Sequence, residues 1–255
     1  MGVAHAEYVE RALGLVDQAA ARGIQLRILG SLAYRLHCPA SSALFEAMKR
    51  DLTDIDFAAH GNQRKEIRAF LAELGFEIDQ DLLVATEGRR YAFEEPSTGL
   101  IVDVFFDELY FCHPIPLADR LSLDSPTITP TDLLLEKMQI VEINPKDIKD
   151  SLVLLVEHPL QIGERDAIDH HYVAGILAND WGFHYTVSLN LERLVRELDG
   201  ETGLSATQAE IVRARIEGLR ETIAEAPKSR KWKLRARVGP RKRWYQEVAE
   251  KAKTF

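Results

Sequence analysis

The run Leu100-Ile101-Val102-Asp103-Val104-Phe105-Phe106 is apolar at every position but one. A strand that is apolar on both alternating faces belongs in the middle of a sheet covered on both sides. Asp103 interrupts that run, and an isolated carboxylate there must take up a proton or find a partner. A second anomaly lies about fifty residues upstream, in Arg50-Asp51-Leu52-Thr53-Asp54-Ile55-Asp56-Phe57. Side chains alternate along a strand, so Asp54 and Asp56 share one face and Ile55 and Phe57 the other. Two adjacent carboxylates on a half-buried face repel each other unless a cation sits between them. If the two strands are neighbours, all three acids converge, and a divalent metal site is the economical reading. The alternatives for Asp103 alone are a strand end or a pairing with one of the many arginines.

A chain of 255 residues is long enough for a substantial core, and its 46% hydrophobic and 28% charged residues are those of an ordinary globular protein. No stretch approaches the ~20 consecutive apolar residues that span a bilayer, so no membrane association is expected. Met1 to Glu10 lacks the basic and apolar regions of a signal peptide, and the expected location is the cytoplasm. Cys38 and Cys112 have no CxxC spacing and read as buried free thiols. His37-Cys38 and Cys112-His113 would make a zinc site only if the fold joined them. The adjacent pair His170-His171 reads as structural, because neighbouring residues on a helix diverge.

The net charge of -8 hides an asymmetry: Lys228 to Phe255 holds eleven basic residues and two acidic ones, leaving the rest of the chain strongly acidic. The basic residues are interleaved with Trp232, Trp244 and Tyr245. Charge plus stacking surface suits RNA. The plainer alternatives are that the segment folds back on the acidic body or is a solvated terminal helix.

Periodicity predicts a helix over 6–22, a strand over 25–29 ending at Gly30-Ser31, a helix over 32–37, a strand over 53–59 and a helix to Leu74. Further strands are predicted over 76–79, 82–87, 91–94 and 100–106. Helices are predicted through Val141, over 145–156, 166–179, 184–198 and 207–225, with Ala226-Pro227 as a break. The expected fold class is α+β: an N-terminal mixed β-sheet domain flanked by helices over 1–128, a helical domain over 129–227, and a basic helical segment over 228–255.

Gly30-Ser31 between a strand and a helix is a plausible phosphate-binding element, since glycine permits close backbone approach and a helix start favours an anion. The order of strand, Gly-Ser, helix, Asp54-Ile55-Asp56 strand and Val102-Asp103-Val104 strand resembles the nucleotidyltransferase superfamily of DNA polymerase beta. The stretch from Gly30-Ser31-Leu32-Ala33 to Asp54-Ile55-Asp56, with 22 residues between Ser31 and Asp54, is most similar to the abortive-infection nucleotidyltransferase toxins and related bacterial nucleotidyltransferases. Thr129-Pro130-Thr131-Asp132 to Lys137, and Pro145-Lys146-Asp147-Ile148-Lys149-Asp150, extend the likeness to about residue 155.

The resemblance implies a metal-dependent nucleotidyltransferase that moves an NMP from an NTP to a hydroxyl acceptor on RNA, tRNA or protein. It implies Mg²⁺ or Mn²⁺ held by Asp54, Asp56 and Asp103 as the catalytic set, with Asp103 nearest the attacking oxygen. Gly30, Ser31 and Lys137 would bind the nucleotide. The implied role is the toxin of a toxin–antitoxin pair, with a cognate antitoxin as partner. The alternative is a catalytically inactive nucleic-acid-binding module on the same fold, against which stands the presence of all three aspartates. For Lys137, Asp147 and Asp150 the alternative is a solvated helix surface.

Overall fold

The computed structural model describes residues 2–47, 54–163, 165–200 and 202–247. Arg50, Asp51, Leu52 and Thr53 of the sequence motif, and residues 248–255 of the basic segment, lie outside the described residues. The protein is α+β, with a five-stranded mixed sheet in the N-terminal half and a helical C-terminal region. The chain forms two units: residues up to Leu109 with Ile115–Leu133, and Tyr110–Pro114 with the chain from Leu134 onward.

The first unit begins with α1 (Gly2–Ala20), whose Ala12, Leu15, Val16 and Ala19 recur at three- and four-residue spacing and are buried. Then follow β1 (Leu26–Leu29), α2 (Gly30–His37), the one-and-a-half-turn α3 (Ser42–Ala47), β2 (Asp54–Ala59) and α4 (Arg64–Glu73). The rest of the sheet comes from β3 (Glu77–Ile78), β4 (Arg90–Glu95) and β5 (Leu100–Phe106), with α5 (Gln80–Ala85) between β3 and β4. A short hairpin, β6 (Glu108–Tyr110) and β7 (Pro114–Pro116), completes the strands.

Strand order is β1-β2-β5-β4-β3. The central pair β2/β5 is parallel and the other pairs are antiparallel. The hydrophobic face of the central pair is made by Ile55, Phe57, Val102 and Val104, all fully buried. The outer edge of β1 is not left open: Ile28 N–H donates to Pro126 O and Ile28 O accepts from Ile128 N–H, which removes a free ladder edge. Tyr34, fully buried on α2, donates its hydroxyl to Leu133 O at 2.5 Å.

Residues 82–87 correct a sequence expectation. The apolar triplet Leu82-Leu83-Val84 suggests a strand, yet the segment lies mostly within helix α5. The Asp79 carboxylate accepts from Leu82 N–H at 2.9 Å and caps the helix, while Val84 is 73% exposed. The helix start signal at Asp79 outweighs the three apolar residues, of which the helix leaves Leu82 and Leu83 half-buried. Helix α3 and the β6–β7 hairpin were likewise not signalled by periodicity, being too short to show one.

The second unit is built from the end of α6 (Pro130–Met138) together with α7 (Pro145–Glu157), α8 (His170–Leu177), α9 (Trp181–Glu197), α10 (Ala206–Glu225) and α11 (Arg230–Val238). Each of the last five has a side-chain N-cap: Asn144, Asp169, Asp180, Ser205 and Ser229. Helix C-termini are closed by long-range donors. Asn190 Nδ2 donates to Met138 O and Ile140 O, and Arg215 donates to Leu155 O and Val156 O. No described helix is long and apolar enough to cross a membrane.

The basic segment folds back onto α9 within this unit, and its aromatics are used in that packing. Trp232 meets His184 edge-on with ring centroids 5.2 Å apart, and Trp244 meets Tyr185 at 5.0 Å. Trp244 Nε1 donates to Thr186 Oγ1 at 3.0 Å, and Arg235 lies 4.6 Å over the Trp181 ring. A Cβ on Gly182 would overlap the Trp244 carbonyl oxygen, so glycine makes room for the strap. This is the fold-back arrangement weighed above as the alternative to an RNA-binding tail, and it leaves Trp232 and Trp244 half-buried against neighbouring rings. The charges stay outside. Arg230, Lys231, Lys233, Arg237, Arg241 and Lys242 are all exposed.

Candidate active site

Strand pairing brings the three aspartates together. In the parallel β2/β5 ladder Asp56 is directly opposite Asp103, with Asp54 opposite Ile101. Directly opposed residues point to the same face, so Asp54, Asp56 and Asp103 share one side of the sheet. One carboxylate oxygen from each lies within 4.8 Å of the other two. Asp103 is buried, while Asp54 and Asp56 are half-buried. Like charges at this range repel by about 3.5 kcal/mol or more per pair at an effective dielectric near 20.

Gly30 lies against this cluster. Leu29 at the end of β1 pairs with Asp56, and the next residue opens α2 in the left-handed region at φ +69°. A Cβ at Gly30 would overlap Asp56 Oδ2. The strand-to-helix turn thus needs glycine twice, for its backbone angle and for the space beside a carboxylate. Ser31 follows as the second residue of α2 and is half-buried.

Sequence reasoning missed Arg90. Its Nε donates to Asp103 Oδ1 at 3.1 Å and its Nη2 to Asp103 Oδ2 at 2.6 Å, a two-point fork. Burial works against the charge on Arg90, but Asp103, then Asp56 and Asp54, outweigh it and hold the guanidinium above its ordinary range. A signal was available. The turn at Pro96-Ser97-Thr98-Gly99 folds β4 back on β5, and counting outward from it sets Arg90 across from Phe105, two residues from Asp103 and on the same face. The arginine alternative weighed for Asp103 is thus real, and it coexists with the three-carboxylate cluster.

The cluster has the donor set of a site for a hard divalent cation: oxygen ligands only, close enough to share an ion, with a side-chain-free position beside Asp56.

Lys137 belongs to the second unit, where acids surround it. Its ammonium lies 2.9 Å from Glu136, 3.2 Å from Asp147 and 3.9 Å from Asp150. Burial disfavours the charge, and Glu136, Asp147 and Asp150 overcome that and raise the pKa. Asp147 and Asp150 do share a helix face, as their spacing predicts, and that face is turned to Lys137.

The remaining sequence candidates have local partners. His37 Nε2 lies 3.0 Å from Ile128 O and 2.6 Å from Thr127 Oγ1. His113 stacks on Phe183 at 5.0 Å and bonds Thr186 Oγ1 at 2.8 Å. Cys38 and Cys112 are buried and not joined in a disulfide. His170 and His171 meet edge-on, ring centroids 4.6 Å apart.

No family model and no curated protein matches the chain by sequence. Among solved structures the chain is similar to the solution structure of the antibiotic-resistance factor ANT(2'')-Ia, at 13% identity over 85% of this chain and 94% of that one, with a TM-score of 0.35.

Proposed function

We propose that the protein is a metal-dependent nucleotidyltransferase that moves an NMP from an NTP to a hydroxyl acceptor. The observation that carries this reading is the convergence of Asp54, Asp56 and Asp103 on one face of two parallel strands, with one oxygen of each within 4.8 Å of the others. The position of Gly30 against Asp56 adds to it, since it leaves backbone rather than side chain beside the cluster.

In this reading Asp54, Asp56 and Asp103 hold Mg²⁺ or Mn²⁺. When bound, the metal offsets triphosphate charge and makes an acceptor hydroxyl more acidic. Gly30 and Ser31, at the start of α2, orient the phosphates through backbone N–H groups. The acceptor oxygen forms a bond to the α-phosphorus, the bond to the β-phosphate bridge breaks, and pyrophosphate leaves with the bonding electrons. The hydroxyl proton passes to water or to a carboxylate of the cluster. Lys137 is left out of this set, because three carboxylates already hold its ammonium.

For the acceptor, RNA or tRNA is the reading favoured over a protein hydroxyl. Arg230, Lys231, Lys233, Arg237, Arg241 and Lys242 are exposed, and no ion pair to any of them occurs among the described residues. Such a surface suits a polyphosphate backbone. The family resemblance adds the role of a toxin with a cognate antitoxin, in the cytoplasm.

The test is incubation with each α-labelled NTP, Mg²⁺ or Mn²⁺, and total RNA. Labelled RNA that is lost with EDTA and with Asp56→Ala is expected. Label transfer by Asp56→Ala at the wild-type rate contradicts the proposal.

A further inference from the structure

Arg90 holds Asp103 by three independent constraints. Its two nitrogens bond both Asp103 oxygens, at 3.1 and 2.6 Å. The antiparallel β4/β5 pairing sets its backbone across from Phe105, and the guanidinium carbon lies 5.1 Å from the Phe105 ring centroid, within cation–π range. The Asp103 side chain is 3% exposed and that of Arg90 25%. The fork is therefore sheltered at its acidic end and open at its basic end.

A carboxylate oxygen has two lone-pair sites, so a metal ion and a guanidinium can share one carboxylate. The obstacle is electrostatic: a divalent ion that approaches Asp103 meets a fixed positive charge. We propose that Arg90 is a positioning residue and the resident counter-ion of the carboxylate cluster. It aims Asp103 and offsets its charge in the metal-free protein, and it competes with the divalent ion for Asp103, which sets the metal affinity. This inference rests on the metal-site reading given above. Within the cluster, Asp103 is neutralised from the neighbouring strand.

The test is Mn²⁺ binding by titration calorimetry, with melting temperatures in EDTA and in saturating Mn²⁺, for wild type, Arg90→Ala, Arg90→Lys and Asp56→Ala. A hydrogen-bonded charge pair of this kind corresponds to roughly a tenfold or larger change in affinity. Arg90→Ala is expected to bind Mn²⁺ about tenfold more tightly than wild type. It should melt lower than wild type in EDTA and gain more on adding Mn²⁺. Arg90→Lys keeps the charge without the fork and should fall between. Arg90→Gln drops the charge and keeps one hydrogen bond, and it replaces the alanine variant if that one does not fold.

Binding by wild type that is lost in Asp56→Ala but unchanged or weaker in the neutral Arg90 variants overturns the competition and leaves the metal site standing. Absence of binding in every variant overturns the metal site, and the competition with it. A silent wild type beside a neutral Arg90 variant that binds supports the inference.

Discussion

Gly30 and Asp56 are in such close contact that a Cβ at position 30 would force the Asp56 carboxylate to move. A Cβ on Gly30 would overlap Asp56 Oδ2, and the backbone there is at φ +69°. Both constraints fall on the residue that joins β1 to α2. Gly30→Ala should therefore destabilise the protein by about 1–3 kcal/mol and push the Asp56 carboxylate out of the cluster. Chemical denaturation and Mn²⁺ titration check it, the expectation being lower stability together with weaker metal binding. A Gly30→Ala protein with wild-type stability and metal affinity would show that the turn tolerates a side chain.

The carboxylate cluster was legible because charge is costly in an apolar strand. Asp103 inside Leu100–Phe106 and the Asp54/Asp56 alternation each break a pattern that a bland strand would keep. Arg90 broke no pattern, since arginine at the start of an edge-proximal strand is unremarkable, and only the β4/β5 register makes it a partner. Lys137 read as a helical lysine able to reach a nucleotide phosphate or as solvated surface, and its enclosure by acids depends on how α6 and α7 pack, which periodicity does not encode. For the same reason the sequence left open whether Trp232 and Trp244 stack on RNA or fold back on the body, and the aromatic seat on α9 favours the second. The strand expected over 82–87 failed on a short-range cue, the Asp79 cap, that outweighed three apolar residues.

Lys137 gives a prediction of opposite character to the cluster aspartates. Removing it takes the ammonium from beside Glu136, Asp147 and Asp150 in a buried site, and breaking a buried ion pair costs about 3–5 kcal/mol. Lys137→Met should lose that much stability at pH 7. Because the folded-state pKa of Lys137 lies above its unfolded value, this contribution is fully present below the unfolded pKa of about 10.4. It is lost only as pH rises through the higher folded value. Thermal melts of both proteins at pH 7 test this. A fully stable Lys137→Met protein with weakened NTP binding would instead favour the nucleotide-binding role that the resemblance implies.

Acid sensitivity is expected from His113. Burial pushes its pKa down to about 4, with Asp180 opposing, against about 6.5 unfolded. Trp244 Nε1 can only donate, so Thr186 Oγ1 accepts from it and is free to donate to His113 Nε2, which a protonated imidazole could not accept. Below pH 6.5 the unfolded chain binds the proton more readily, so stability is retained above pH 6.5 and falls towards pH 4. The loss is about 1.4 kcal/mol per pH unit, or about 3 kcal/mol in all. His184, also pushed down to about 4 by burial and by Lys228, adds to the same window. Melting temperatures between pH 7.5 and 4.5 should drop more steeply for wild type than for His113→Gln, and equal slopes would remove His113 from the account.

The central claim is nucleotidyl transfer, and the fate of the two ends of the donor tests it most directly. Wild-type protein is incubated with Mg²⁺ or Mn²⁺, total RNA and one NTP at a time, labelled in parallel reactions at the α- or the γ-phosphate. The account predicts that α-label becomes covalently attached to RNA while γ-label appears as pyrophosphate, in equal amounts and only with metal present. The contradictory result is γ-label on the acceptor, or release of inorganic phosphate with no α-label attached, which would make the carboxylate cluster the site of a different phosphate chemistry.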